Sequence, residues 1–161
     1  MKRLVYLFCT ITLATIIAYA QPKEESIGLG ASTGWAEGAN LTYVIGQDVH
    51  LGFQLGAYID GKFAPTIAPQ VRYFLSHNGN FHPFVIGSVL ISDRAQLKDG
   101  TQRLYFGSKM DLIAGAGASY FPAKDVHIYA QLSAIELPLN GNSELAFGLL
   151  KPAVGIEWFI W

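Results

Sequence analysis

The feature that most constrains this chain is a two-residue hydrophobic period that recurs along most of its length. In VHLGFQLGAYI, Val49 to Ile59, the odd positions are Val49, Leu51, Phe53, Leu55, Ala57 and Ile59, while the even ones are His50, Gly52, Gln54, Gly56 and Tyr58. Side chains of a strand point alternately to its two faces, so such a segment is apolar on one face and polar or bare on the other. The same pattern holds in SIGLGASTGW, with Ile27, Leu29, Ala31 and Trp35 on one face. It recurs in ANLTYVIG (Leu41, Tyr43, Ile45), in TIAPQVRYFL (Ile67, Val71, Tyr73, Leu75) and in KMDLIAGAGASYF (Met110, Leu112, Ala116, Tyr120). VHIYAQLSA (Val126, Ile128, Ala130, Leu132, Ala134) follows it as well. FHPFVIGSVLI is apolar on both faces, and Val85, Gly87, Val89 and Ile91 are taken as its outer set.

The last segment decides which side meets which solvent. In LKPAVGIEWFI the even positions Leu150, Pro152, Val154, Ile156, Trp158 and Ile160 are apolar, and Glu157 lies on the other face. With 51% of the chain hydrophobic and only 14% charged, against about a quarter charged in an ordinary soluble domain, the apolar faces exceed what a small core can absorb. They suit lipid. The opposite orientation would place Glu157 in hydrocarbon, at a cost of a few kcal/mol near the midplane. A sheet in lipid cannot leave backbone edges unpaired, so it must close. The alternative, a soluble up-and-down barrel, has an apolar lumen and a polar exterior, the reverse of this arrangement. The expected fold is therefore all-β: an eight-stranded antiparallel up-and-down transmembrane barrel over residues 26–161, with strands at 26–35, 39–47, 49–59, 66–75, 82–91, 104–121, 126–137 and 144–160. Pro152 is expected to mark a bulge. Short connections are expected at Gln47-Asp48, Ser76–Phe81 and Pro122–Asp125 on one side. On the other they fall at Ala36–Gly38, Asp60–Pro65, Ser92–Arg103 and Pro138–Ser143. An even strand number puts both ends on one side, the periplasmic one in bacterial barrels.

Ahead of the first strand, Lys2 and Arg3 precede an apolar run from Leu4 to Ile17 and the small-x-small triplet Ala18-Tyr19-Ala20. This reads as a secretory signal peptide over 1–20, followed by a short linker, 21–25. The apolar run is shorter than the ~20 residues that a spanning helix needs. Cys9, the one cysteine, leaves with the signal, so disulfide and thiol chemistry are not expected. Loss of Lys2 and Arg3 leaves 11 − 2 = 9 basic against 12 acidic residues, a net charge of −3. That balance gives no electrostatic reason to expect nucleic acid.

An eight-stranded barrel is just wide enough for side chains to fill. The inward polar set is His50, Gln54, Tyr58, Gln70, Arg72, Lys109, Asp111, His127, Tyr129, Gln131, Lys151 and Glu157. Buried charges must pair. Arg72 and Glu157 each lie about four residues from the same end, which points to an Arg72–Glu157 ion pair with His50 or His127 nearby. Lys109, Asp111 and Lys151 would pair higher up. The same inward set also admits a narrow polar conduit. No catalytic set emerges. His77 and His82 fall at a turn, and no histidine is level with Ser133 and Glu136. The four histidines look scattered, so neither a metal nor any other cofactor is expected. The Gly-rich GLGASTG opens no helix and is no phosphate loop. Among the outer connections only Ser92–Arg103 has reach. Its Asp93, Arg94, Lys98, Asp99 and Arg103 nearly balance and are candidates for an interaction. Trp35, Tyr43, Tyr73, Tyr120 and Trp158 are expected at the membrane interfaces, where amphipathic aromatics collect.

VHLGFQLGAYI, HPFVIGSVL, LIAGAGASYFPAKDVHIYAQL and the ending PAVGIEWFIW together resemble the small OmpA/OmpX-type outer-membrane β-barrels of diderm bacteria. The resemblance covers the whole mature chain and implies a monomeric barrel in the outer membrane. Its partners would be membrane lipid and lipopolysaccharide, and the barrel-assembly machinery during biogenesis. Members of that family often end in an outward aromatic residue that the machinery reads. Here the outward alternation stops at Ile160, one residue before Trp161. The resemblance implies a structural or interaction role without catalysis. A narrow channel for small solutes comes second and a lipid-modifying enzyme third.

Overall fold

The alternating runs form strands, and each strand pairs antiparallel with the next. The structure, a computed structural model, describes residues 22–34, 37–59, 63–77, 79–98, 101–139, 146–147 and 151–160. Within these, residues 57–59, 63–64, 93–98, 101–109 and 146–147 are described by their backbone alone. The strands are β1 (Ile27–Thr33), β2 (Glu37–Gly46), β3 (Val49–Ile59), β4 (Phe63–Phe74), β5 (Phe81–Lys98), β6 (Thr101–Ala123), β7 (Val126–Pro138), β8 (Ala146–Phe147) and β9 (Pro152–Ile160). Both β8 and β9 pair with β7, at Ile135↔Phe147 and at Leu132↔Pro152. They are two pieces of one stave. β9 also pairs with β1, from Ile27↔Ile160 to Thr33↔Val154. This closes an eight-staved antiparallel barrel, in which each stave pairs with both of its neighbours around the ring. Residues 1–21, including the expected signal peptide and Gln21, lie outside the described residues, as do Trp35, Asp99 and Trp161.

Burial follows the two-residue period in the inverted sense. Leu29, Leu55, Val71, Ile156 and Trp158 are exposed, whereas Thr42, Gln54, Gln70, Arg72, Asp111, His127 and Glu157 are buried. The two-sided strand β5 resolves the same way. Val85 faces out, while Phe84 and Ile86 join Phe74, Ile113, Tyr129 and Ala153 in an apolar cluster within the lumen. A second cluster holds Val44, Phe121 and Phe159. The inward glycines make room for these rings. A Cβ on Gly155 would lie 2.3 Å from Cζ of Tyr129, and one on Gly28 would lie 2.8 Å from Cε1 of Phe159. In so narrow a lumen an inward aromatic needs a bare neighbour.

Three expectations about connections are corrected. β2 starts at Glu37 and β4 at Phe63, so Glu37-Gly38 and Phe63–Pro65, expected within connections, are strand. Ser92–Arg103 is not a loop. β5 and β6 continue as a paired ribbon up to Lys98↔Thr101. Only Asp99-Gly100 separates the two strands in sequence, and Asp-Gly is a dipeptide favoured in two-residue hairpin turns. Pro152 opens β9. Between Ile135↔Phe147 and Leu132↔Pro152 two residues of β7 stand against four of the facing stave, so a register irregularity falls just before the proline. In the β6–β7 ladder the extra residue is Ala134 on β7, because Ala114 pairs with Ile135 while the adjacent Gly115 pairs with Ser133. Past it the alternation turns over, which leaves Ile135 exposed beside Ala134.

Candidate functional site: the polar network of the lumen

The narrowness of the ring brings side chains from opposite walls into contact. Arg72 on β4 and Glu157 on β9 are separated around the ring by β3, β2 and β1. Nη1 of Arg72 donates to Oε1 of Glu157 at 2.9 Å and to Oε2 at 3.2 Å. Both residues are about 1% exposed. The guanidinium also lies over the Tyr129 ring, with Cζ 4.0 Å from its centroid, in the range of a cation–π contact. His127 pairs with Glu157 across the β7–β9 ladder. Its Nδ1 is 2.9 Å from Oε2 of Glu157, and its Nε2 is 2.7 Å from Oγ of Ser119. The other end of the network runs over β1 to β3. Gln54 Nε2 donates to Ser32 Oγ, Ser32 Oγ donates to Asn40 Oδ1 at 3.1 Å, and Asn40 Nδ2 donates to Tyr129 Oη at 2.6 Å.

The desolvation of Arg72 and Glu157 would cost several kcal/mol per ion if either stood alone. Here the carboxylate takes two contacts from one guanidinium and one from an imidazole, and the guanidinium faces an aromatic ring. The ion pair is thus held by geometry from three staves. Ser119, His127 and Glu157 stand in the order of a nucleophile relay, hydroxyl to imidazole to carboxylate. Ser119 and His127 are wholly buried, however, and Glu157 is also committed to Arg72.

The remaining candidates fall in different places. His50 is buried and pairs by register with Arg72, but its ring lies against Phe74, centroids 4.5 Å apart. His77, His82 and His127 lie 6.1, 6.5 and 6.4 Å from the same Phe74 ring. The histidines are therefore not scattered: all four surround one phenylalanine. Two of them, His77 and His82, flank the β4–β5 connection, and their rings lie 5.5 Å apart. His77 contacts Asp48 at 2.6 Å, and Pro22 lines a small recess together with His50, Phe74, His77 and His82. Among the described residues no group of three His, Cys, Asp or Glu is placed to hold a metal ion.

Gln70 and Gln131 are buried in the lumen. Asp111 is fully buried, and the side chains of Lys109 and Tyr58 lie outside the described residues. Lys151 is not a lumen residue. It is exposed at the rim just before β9, and its ammonium is 2.5 Å from Oε2 of Glu136. Alternation does not carry past the end of a strand, and that is where its expected position failed. Asp93, Arg94, Lys98 and Arg103 lie in the β5–β6 ribbon, and their side chains, like the whole of Asp99, are outside the described residues. Tyr43, Tyr73 and Trp158 are exposed, and Tyr120 is half-buried beside the exposed Phe81, ring centroids 5.1 Å apart. All of these lie toward the Ile27–Ile160 end, as a partial aromatic belt. Ser119, Ser32 and Asn40 are the network members that sequence reasoning missed. Ser119 was legible as an inward residue of the β6–β7 hairpin, eight positions from His127.

Fold and site together define a class: a closed eight-staved β-barrel with an apolar exterior and a pinned polar lumen. No protein-family model matches the chain, and no curated protein matches it. Among solved structures it is similar to the crystal structure of the N-terminal β-barrel domain of Pseudomonas aeruginosa OprF. The TM-score is 0.65 at 17% sequence identity, over 85% of this chain and 98% of that one. The likeness is one of fold: an all-β, closed, eight-stranded antiparallel barrel.

Proposed function

We propose that this chain is an exported, monomeric, integral outer-membrane barrel whose lumen is filled by side chains, with a structural or interaction role and no catalysis. The observation that carries the reading is the pairing of an apolar exterior with an ion pair buried in the lumen. An exterior bearing exposed Leu55, Val71, Ile156 and Trp158 suits hydrocarbon. The Arg72–Glu157 contact, joined by Tyr129, Phe84 and His127, links staves on opposite sides of the lumen and so supports a filled interior. The aromatic belt at the Ile27–Ile160 end suits a bilayer interface there, and the OprF-like fold supports the outer membrane as the location. Burial of Ser119 argues against its use as a nucleophile, since a substrate must reach that hydroxyl. The partners in this reading are membrane lipid, lipopolysaccharide and, during insertion, the barrel-assembly machinery.

Planar-bilayer recording tests the filled lumen. The protein is expected to give no discrete conductance steps at moderate voltage. Reproducible single-channel steps from the wild-type protein would instead support the narrow conduit.

A further inference from the structure

Pro69 sits in the middle of a strand that is paired on both sides, where a proline takes a donor out of the ladder. On the β3 side it pairs with Phe53. On the β5 side Ile67↔Ile91 and Gln70↔Ser88 are paired, whereas Ala68 and Pro69 are not. The flanking rungs are equally spaced on the two strands, so Pro69 stands opposite Val89. The Pro69 carbonyl faces this seam, where it accepts from Ser88 Oγ at 3.1 Å. In an antiparallel ladder the N–H and C=O of one residue serve the same neighbouring strand. The N–H that proline lacks is therefore the one Val89 would receive. The break is confined to the β4–β5 seam, since Val89 and Leu90 stay paired with Leu112 and Asp111 on β6.

The outer wall is dented at the same place. Leu51, Pro69, Val71, Gly87, Val89 and Leu112 line a recess of about 430 Å³, within the roughly 300–1,000 Å³ of small-molecule sites. Gly87 leaves part of it bare: a Cβ there would meet no atom within 4 Å. Gln70 and Ser88, both buried, line it from the inner side of the seam. The Ser88 hydroxyl is taken by Pro69, but Nε2 of Gln70 is buried and has no hydrogen-bond partner among the described residues. The result is an apolar slot with one unused amide donor behind it. Tyr73, two residues beyond Val71 on the same face, belongs to the aromatic belt, so the slot opens just inside that belt.

We infer that this slot seats one acyl chain of a membrane amphiphile, with the carbonyl oxygen of that chain accepting from Gln70. The inference rests on the reading of the outer face as lipid-facing. Depth supports it. Amphipathic aromatics mark the headgroup level, and the carbonyl of an acyl chain lies just beneath its headgroup. A headgroup level with Tyr73 places the carbonyl near Gln70 and the first methylenes over Pro69 and Val89. Those methylenes meet only apolar side chains, and the carbonyl meets the one donor that the wall leaves unused.

The test uses the full barrel in phosphatidylcholine vesicles and a photoreactive probe, palmitic acid carrying a diazirine in its chain, with adducts mapped by mass spectrometry. Vesicle flotation, and gel mobility before and after boiling, are read first. A protein that does not float overturns the lipid-facing reading and this inference with it. On the floated barrel, adducts are expected to concentrate on residues 69–71 and 87–89. Gly87→Leu fills the slot and is expected to abolish that cluster of adducts. Ala31→Leu, on the exposed face of β1 across the ring, is expected to leave it unchanged. Gln70→Ala is expected to raise the probe concentration for half-maximal labelling about fivefold, the loss of one hydrogen bond. Adducts spread evenly around the outer face mark ordinary lipid contact, and would overturn the seat while leaving the membrane barrel intact. So would a seam that stays unlabelled, as when a second copy covers it, or one whose labelling survives Gly87→Leu or is indifferent to Gln70→Ala.

Discussion

Glu157→Ala is expected to destabilise the folded barrel by about 3–5 kcal/mol, because it strands the Arg72 guanidinium in the lumen. Arg72→Ala should do comparable damage by leaving the carboxylate with His127 as its remaining partner. R72A/E157A is expected to lose clearly less than the sum of the two, since removing both charges relieves the penalty that each single change creates. A coupling of about 1–3 kcal/mol in this cycle is the expected reading, from urea-dependent unfolding in lipid vesicles followed by tryptophan fluorescence. Strict additivity would mean that the two groups do not form the contact at 2.9 Å. Both variants should still migrate as barrels at low urea, because closure rests on the strand ladders and not on the pair.

Ile156→Arg is the second change with a large expected effect. Ile156 sits midway along β9 and is 50% exposed on the outer face. If that face lies in hydrocarbon, the substitution costs about 2–4 kcal/mol, whereas the same charge near an interface costs about 0–1 kcal/mol. Ile27→Arg, at the end of β1, supplies the interface comparison. The same vesicle unfolding assay reads both. In a water-exposed barrel the order would vanish, since an arginine at a half-exposed surface position is close to neutral. The depth dependence therefore separates a membrane face from a soluble one without reference to the lumen.

The outward and inward faces were legible because a strand's period is short and strict. Val49 to Ile59 alone separates an apolar face from a polar one, and the same alternation carries to Ile156 and Glu157. Level could also be counted. Arg72 and Glu157 lie about equally far from one end, which is why a pair between non-adjacent staves could be posed from sequence. What could not be counted was lateral reach across the lumen. Tyr129 beneath Arg72, and Ser119 joined to His127, depend on how far a side chain extends inside a closed ring. The convergence of four histidines on Phe74 depends on how the connections between strands are placed. Parity also fails wherever the ladder gains a residue or ends. Ala134 and Lys151 are two such places, and neither carries a sequence mark as plain as the proline at 152. In the β5–β6 ribbon the misreading was of a different kind. Charge density suggested a loop, while Asp99-Gly100 already signalled a tight hairpin.

The measurement closest to the central claim is the gel mobility of the native protein, recovered from a purified outer-membrane fraction, with and without boiling. A closed lipid-facing barrel resists detergent until heated. The protein is therefore expected in that fraction, with different mobilities in the unheated and heated samples. Recovery in the soluble fraction with one mobility in both samples would contradict the account, and would return the chain to the class of soluble up-and-down barrels.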